Sequence, residues 1–318
     1  MGIDVSRDDM TTGDLKSGQR SLAGPAPEEN PGGNADVVIP LRHRGRWVSG
    51  AIAGVCAALA LWSVLKNPNI QWSVVREYLL ATVTLQGLGT TLELTAAAVA
   101  IGFVGGIGLA VMSLSGNPVL RGIARLYLTV FRGTPVLVQI IFWGYIGAFY
   151  HRLIIGIPFT HITFVNVDTN QLIGATLAAL LALGLNEIAY ASEIIRAGLI
   201  SVDQGQREAA ASLGMTPRWT MYRIVMPQAM RTIIPPFGNA VINMLKTTAL
   251  VSVIGGHDLM TNMQNIYSQT FQVIPLLTVA AIWYVALTTL LGIPQRMLEK
   301  RYGRGSATAS QGLRLGAA

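Results

Sequence analysis

"LTAAAVAIGFVGGIGLAVMSLSGNPVL", residues 94–120, contains no acidic or basic side chain. At about 1.5 Å of rise per residue, a helix of this length exceeds the roughly 30 Å of hydrocarbon in a bilayer. A helix apolar on every side must be surrounded by protein or by lipid. Five further stretches have the same character: Trp47–Leu65, Gly133–Tyr150, Gln171–Asn186 with a continuation through Glu187, Thr232–Gly256 apart from Lys246, and Val273–Gln295. Enclosing six such helices in one soluble core is not a reasonable alternative for 318 residues of which only 12% are charged. That charge content is about half that of an ordinary soluble domain. The expected fold class is an all-helical integral membrane protein with about six transmembrane helices.

The net charge of +7 reports orientation, not a nucleic-acid partner. Arg42, Arg44 and Arg46 precede the first stretch, and Arg121, Arg125 and Arg132 separate the second from the third. Arg207, Arg218, Arg223 and Arg231 separate the fourth from the fifth, while Arg296, Lys300, Arg301, Arg304 and Arg314 follow the sixth. The alternate connections hold only Lys66, Arg76 and Arg152. Short-loop cations favour the cytoplasm, so both termini and the 201–231 connection are expected inside the cell. Residues 1–46, rich in Gly, Pro, Ser and acidic residues, read as a disordered cytoplasmic tail, and 302–318 as a second tail. The segment Asn67–Glu93 reads as an interfacial lead-in with Trp72 and Tyr78 at headgroup level, and Leu153–Thr169 as an external loop. The glycines at 102, 105, 106 and 108 suggest close helix packing. Cys56 is the sole cysteine, which excludes an intramolecular disulfide or a multi-thiolate metal site.

Between the fourth and fifth stretches lies the polar "EAAASLGMTPRWTMYRIVMP", residues 208–227. Val202–Leu213 reads as a helix closed by Gly214, and Thr216-Pro217 as the cap and first turn of a second helix ending near Pro227. Trp219, Tyr222 and Met226 beside Arg218 and Arg223 are large anchors among positive charges, suited to docking on another protein. A DNA-reading helix-turn-helix is a poor alternative between two membrane spans.

The spacing Glu208-Ala209-Ala210, three residues, Gly214, nine residues, Ile224-Val225-Met226-Pro227 resembles the EAA motif of ABC importer permeases, with Met226 where that pattern has leucine. "FRGTPVLVQ" (131–139), "AYASEIIRAGLISVDQGQREAAASLGM" (189–215), "PQAMRTIIPPFGN" (227–239) and "KTTALVSVIG" (246–255) are similar to the polar amino acid branch of that family. The resemblance implies a type I (MetI-like) permease core over residues 87–301, with a coupling segment at 201–231, preceded by an extra span at 47–65. It implies a bacterial inner-membrane permease subunit of an ATP-driven importer for polar amino acids. The implied partners are a dimer of ABC ATP-binding subunits, a second permease copy or homologous permease, and an extracytoplasmic amino-acid-binding protein. Glu208, Ala209, Ala210, Gly214, Arg218, Trp219, Ile224 and Pro227 would form the ATPase contact. No G-x-x-x-x-G-K-[ST] occurs, so ATP and magnesium are expected on the partner, with no cofactor or metal in this chain and no catalysis by it. The chain departs from the branch at Thr247, where an acidic residue is usual, and this leaves substrate identity open.

Ionisable residues within the apolar stretches are candidates for function because an unpaired charge in lipid costs at least about 2.5 kcal/mol. Glu93 reads as interfacial, and Glu193 with Arg196 as an i,i+3 pair. Lys246 lies about 20 Å along its helix from Thr232 and requires an anion, either Glu187 or a substrate carboxylate. Pro235-Pro236 would break that helix and open carbonyls to a polar cavity. The expected pathway residues are Thr134, Asn186, Glu187, Lys246, Thr247 and Thr248. An ion-gradient-driven secondary transporter using Glu187, Glu193 and Lys246 is the alternative, although the inverted repeat typical of that class is not evident.

Overall fold

A computed structural model describes residues 44–156 and 163–302. The expected tails at 1–43 and 303–318 lie outside the described residues, whereas residues 44–46 and Tyr302 are helical rather than tail. The chain divides into two units at Ala60/Leu61. The first contains most of α1 (Arg44–Lys66), whose stretch from Val48 to Leu65 is uncharged.

In the second unit, a 3-10 turn (Pro68–Ile70) and α2 (Trp72–Leu79) lead to the long α3 (Thr82–Leu114). Trp72 donates from Nε1 to the Leu65 carbonyl at 2.9 Å. Then come α4 (Pro118–Gly133), α5 (Val136–Gly144), α6 (Ile146–Phe149), the antiparallel strands β1 (Arg152–Gly156) and β2 (Thr163–Asp168), and α7 (Thr169–Leu172). Next, α8 (Ala175–Ile200) is followed by α9 (Gln204–Ser212) and α10 (Pro217–Thr220). A π-turn (Met221–Val225) joins α10 to α11 (Met226–Thr247), which tightens into 3-10 turns at Thr248–Ile254. The last helices are α12 (Leu259–Thr270) and α13 (Val273–Tyr302). Five described helical segments are long and apolar enough to cross a membrane, or six if α4 and α5 form one bent span.

The α3–α8 pair is the spine. A Cβ at Gly102 would stand 2.3 Å from the Glu187 Cγ, one at Gly105 2.5 Å from the Ile188 Cδ1, and one at Gly106 2.8 Å from the Ala191 Cβ. Their absence lets the two backbones approach closely, which drives helix association where lipid offers no hydrophobic contrast. Leu94, Ala98, Ile140, Leu183, Met244 and Val251 fill one core beside this contact, while Ile70, Val75, Leu259, Met263 and Leu276 fill another under α12 and α13.

Several expected boundaries shift. The stretch 94–120 is not one helix: α3 starts twelve residues earlier and stops at Leu114, where Ser-Gly-Asn-Pro turns the chain and the Asn117 Oδ1 caps α4 by accepting from Val119 N at 2.9 Å. Glu93 therefore sits within a helix rather than in an interfacial lead-in. The expected span 133–150 is also not one helix, because α4 and α5 meet at 96°. Thr134, extended at φ −111° and ψ 138°, precedes Pro135, whose ring disfavours a helical neighbour. The loop at 153–169 contributes to a β-hairpin, and α8 runs beyond the expected 171–187 to Ile200.

The second insert helix does not end at Pro227 but continues into the fifth span. Pro227 lacks an N–H and crowds the carbonyl four residues back, and the preceding π-turn accommodates it with Met226 N bonding to Met221 O. Pro235 and Pro236 lie inside α11 without breaking it; the Pro235 carbonyl accepts from Gln295 Nε2 at 2.7 Å.

Asp258, fully buried, caps α12 by accepting from Met260 N at 3.0 Å, Thr261 N at 3.4 Å and the Thr261 hydroxyl. Burial raises its carboxyl above the ordinary range, while these hydrogen bonds act in the opposite direction. Below the ordinary value both folded and unfolded states are protonated. As pH rises from there through the raised folded value, only the folded state buries the new charge, so stability is lost over that window. The Asp258→Asn variant keeps an acceptor and is expected to flatten this slope in thermal unfolding in detergent; equal slopes would refute the assignment.

Candidate functional site

The bend at Thr134-Pro135 points the α4–α5 elbow at the middle of α8, and α11 closes the third side. Between them is a cavity of about 690 Å³. Its wall includes Arg132 and Thr134 from the elbow, Asn186, Glu187 and Tyr190 from α8, and Asn239, Asn243 and Thr247 from α11.

A buried amide network fixes the elbow. Gln139 Nε2 donates to Phe131 O at 3.0 Å, Thr134 O at 3.2 Å and Thr134 Oγ1 at 2.8 Å. Asn186 Nδ2 donates to Phe131 O at 3.1 Å and Gln139 Oε1 at 3.3 Å, and the Tyr127 hydroxyl donates to Leu185 O at 2.8 Å. These bonds occupy the carbonyls that the bend exposes. The Gln139→Leu variant leaves them and the Asn186 amide without this partner, a loss of about 1–3 kcal/mol. A lower melting temperature and faster proteolysis at the elbow are expected; unchanged values would rule out the network as its brace.

Glu187 is buried at 5% exposure, and its Oε1 has no hydrogen-bond partner. Glu193, two turns further on, accepts from Arg196 Nε at 2.9 Å and Nη2 at 3.0 Å, the expected i,i+3 pair. Arg132 adds a contact at 3.5 Å to Glu193 Oε2 and lies 5.7 Å from the Tyr190 ring centre.

The structure thus brings Thr134, Asn186, Glu187 and Thr247 to one cavity. It does not bring Lys246 or Thr248 there. Lys246 is exposed and makes no ion pair with Glu187, while Thr248 is buried and donates to Leu245 O at 2.7 Å. Successive residues on a helix differ by about 100°. Pro236, Asn239, Ala240, Asn243 and Thr247 share one stripe, so positions 246 and 248 point to either side of it. Gln139, Asn239 and Asn243 were not among the expected site residues; the asparagines' spacing of four from each other and from Thr247 is the signal that identifies them.

The polar insert folds as a helix-turn-helix. Asp203 Oδ1 caps α9 by accepting from Gly205 N at 2.7 Å. Gly214, at φ +75°, ends it, with Met215 N bonding to Ala210 O at 3.1 Å and Gly214 N to Ala211 O at 2.9 Å, a Schellman turn. Thr216 is extended at the cap position and Pro217 opens α10, as expected, although the Thr216 side chain makes no capping hydrogen bond. Ala210 is buried and Ile224 partly so; Glu208, Ala209, Arg218 and Pro227 are exposed. Trp219 is 57% exposed, Tyr222 74% and Leu213 82%, with the Arg223 guanidinium 5.8 Å from the Trp219 ring centre. Pro217, Arg218, Met221, Tyr222 and Met226 line a shallow groove beside them.

Residues 102–304 match the family described as binding-protein-dependent transport system inner membrane component. The arginine transport system permease protein ArgU of Corynebacterium glutamicum is 44% identical over 269 residues, covering 84% of this chain and 83% of that protein. A Rickettsia bellii protein whose name assigns it to a glutamine transport system, GlnP, is 35% identical over 217 residues, covering 68% of this chain and 91% of its own. Among solved structures, an amino acid ABC transporter crystallised with histidines superposes with a TM-score of 0.57 at 37% identity, covering 69% of this chain and 94% of that one. A methionine ABC transporter at 16% identity shares the fold, with a TM-score of 0.53 over 69% of this chain and 96% of its own.

Proposed function

The chain belongs to the family of binding-protein-dependent transport system inner membrane components, and from that premise we propose that it carries polar amino acids through the cavity between the elbow, α8 and α11. It is a membrane-spanning permease subunit of an ABC importer and not an enzyme. Family membership sets aside the ion-gradient alternative and implies an ATPase and a substrate-binding protein as partners.

The observation that carries the substrate reading is the wall of the cavity, where three amide or hydroxyl side chains of α11 and three of α8 and the elbow face one space beside a carboxyl group. Such a lining suits a small solute bearing several donors and acceptors. The names of the relatives, arginine and glutamine transport among them, point to the same class. Residues 87–301 form the permease core in this reading, with both termini and the insert on the cytoplasmic side of a bacterial plasma membrane, as the arginine distribution favours.

The insert is the coupling segment. Its exposed Trp219 and Tyr222, flanked by Arg218 and Arg223, would seat on the ATP-binding subunit, which holds ATP and magnesium. Two permeases, identical or homologous, would pair around the pathway. ATP-driven closure of the ATPase pair then pulls on both inserts, and each α10–π-turn–α11 rod transmits the movement without a break to the wall of the cavity.

Purification of the intact complex in mild detergent tests the coupling reading. The wild-type chain is expected to retain an ATPase, and Trp219→Ala with Tyr222→Ala to lose most of it while still inserting. Equal retention by both would assign the contact elsewhere.

A further inference from the structure

The strongest unassigned feature is the unpartnered Glu187 carboxyl in the cavity wall. Glu187 lies at mid-helix, about 18 Å from the start of α8. Its stem packs against α3 where that helix has no side chain: a Cβ at Gly102 would overlap the Glu187 Cγ and Cβ. The neighbouring Asn186 amide is already committed to Phe131 O and Gln139 Oε1. Among the described residues the one cation in the cavity wall is Arg132, which is drawn towards Glu193, 3.5 Å away, and the exposed Lys246 is not part of the wall. Among the described residues no ion pair involves Glu187, and its Oε1 is buried without a hydrogen bond.

A carboxylate in this position is costly when alone and favourable when a cation joins it. From this, and resting on the amino-acid import reading, we infer that the cavity selects amino acids with a cationic side chain, the guanidinium or ammonium group pairing with Glu187. A neutral amide of similar length gives the Glu187 carboxyl no counter-ion, and an acidic side chain brings a second carboxyl beside it. The names of the relatives divide between arginine and glutamine and do not decide this; the unpartnered carboxylate does.

The test uses cells in which this chain is expressed with its own partner subunits, as wild type, Glu187→Gln or Glu187→Asp. Initial uptake of ¹⁴C-labelled arginine, lysine and glutamine is measured at equal amounts of membrane-inserted protein. The binding protein is the same in all three strains, so a changed preference belongs to the permease. Wild type is expected to take up arginine and lysine, with Glu187→Gln lowering both at least tenfold relative to glutamine and Glu187→Asp restoring a large part of the loss. An unchanged arginine-to-glutamine ratio in Glu187→Gln, or a wild type that takes up glutamine but neither cation, would overturn the inference and leave amino-acid import intact. Uptake of none of the amino acids by wild type would instead remove the reading on which it rests. A Glu187→Gln chain that fails to insert counts against the inference if Glu187→Asp inserts normally yet shows no cation preference.

Discussion

Replacing Gly214 with valine is expected to lower ATP-dependent uptake at least tenfold while the chain still folds and inserts. Gly214 has φ +75°, and a Cβ added there meets nothing within 4 Å, so any effect comes from the backbone rather than from a clash. An L-residue in this left-handed region costs roughly 1–2 kcal/mol, and a β-branched one is an outlier there. The Schellman turn depends on that geometry, since both Met215 N and Gly214 N reach back to α9 carbonyls only when residue 214 is left-handed. If the turn opens, α9 loses its fixed angle to α10, and the exposed Glu208 and Leu213 on the α9 side no longer form one surface with the exposed Trp219 and Tyr222. About 1.4 kcal/mol of lost docking corresponds to a tenfold weaker ATPase contact. None of the clustered core residues belongs to this turn, whose one buried side chain is the small Ala210, so melting temperature and membrane yield should change little. Asparagine tolerates the left-handed region, and Gly214→Asn should keep most of the activity. A valine variant with wild-type uptake would show that the turn does not hold the coupling surface.

The same turn shows what local sequence signals reveal. The break after the alanine-rich segment, the Thr-Pro start and the exposed aromatic residues could be read from residues 208–227 because each depends on near neighbours. The number of apolar stretches was also legible, since bilayer thickness sets the length that each helix must have. Boundaries were less so. Hydropathy does not register where α3 begins at Thr82, because small threonines and glycines on a packed face are neither strongly apolar nor charged. Pro235-Pro236 suggested a break that did not occur, and Pro227 an end that became a π-turn, because a proline states only which hydrogen bond is missing. The neighbours decide how the chain responds, as Gln295 does by bonding to the Pro235 carbonyl. Charge alone made Lys246 a pathway candidate, but the helical phase set by Asn239, Asn243 and Thr247 turns it away. Reading that stripe as a polar face would have found the asparagines. The Gln139–Asn186 bridge joins residues 47 apart and left no local trace.

A leucine at Gly106 should be among the most damaging single changes in the chain, because the α3–α8 contact has no room for it. The ideal Cβ would stand 2.8 Å from the Ala191 Cβ, 3.0 Å from Ser192 N and 3.2 Å from Ala191 C. Two of these three atoms belong to the α8 backbone, so rotation of a neighbouring side chain brings no relief and the helices themselves must separate. Gly105 differs, since its nearest atoms are the movable tip of Ile188. Overpacking of this kind costs typically 1–3 kcal/mol, and leucine against backbone belongs at or above the upper end of that range, about 3 kcal/mol. Separation of the helices would also free the Glu187 stem from its seat opposite Gly102, so transport should fail in whatever fraction of the chain still folds. Gly108, one turn or less away on the same helix, is the internal control: nothing lies within 4 Å of its Cβ position. There alanine should be neutral or stabilise by about 0.5–1 kcal/mol, as expected where a helix interior exchanges glycine for a better helix former. Thermal unfolding of Gly106→Leu, Gly106→Ala and Gly108→Ala in one detergent separates the two effects. Equal melting temperatures for the alanine variants at 106 and 108 would show that α3 and α8 do not meet at the distance described.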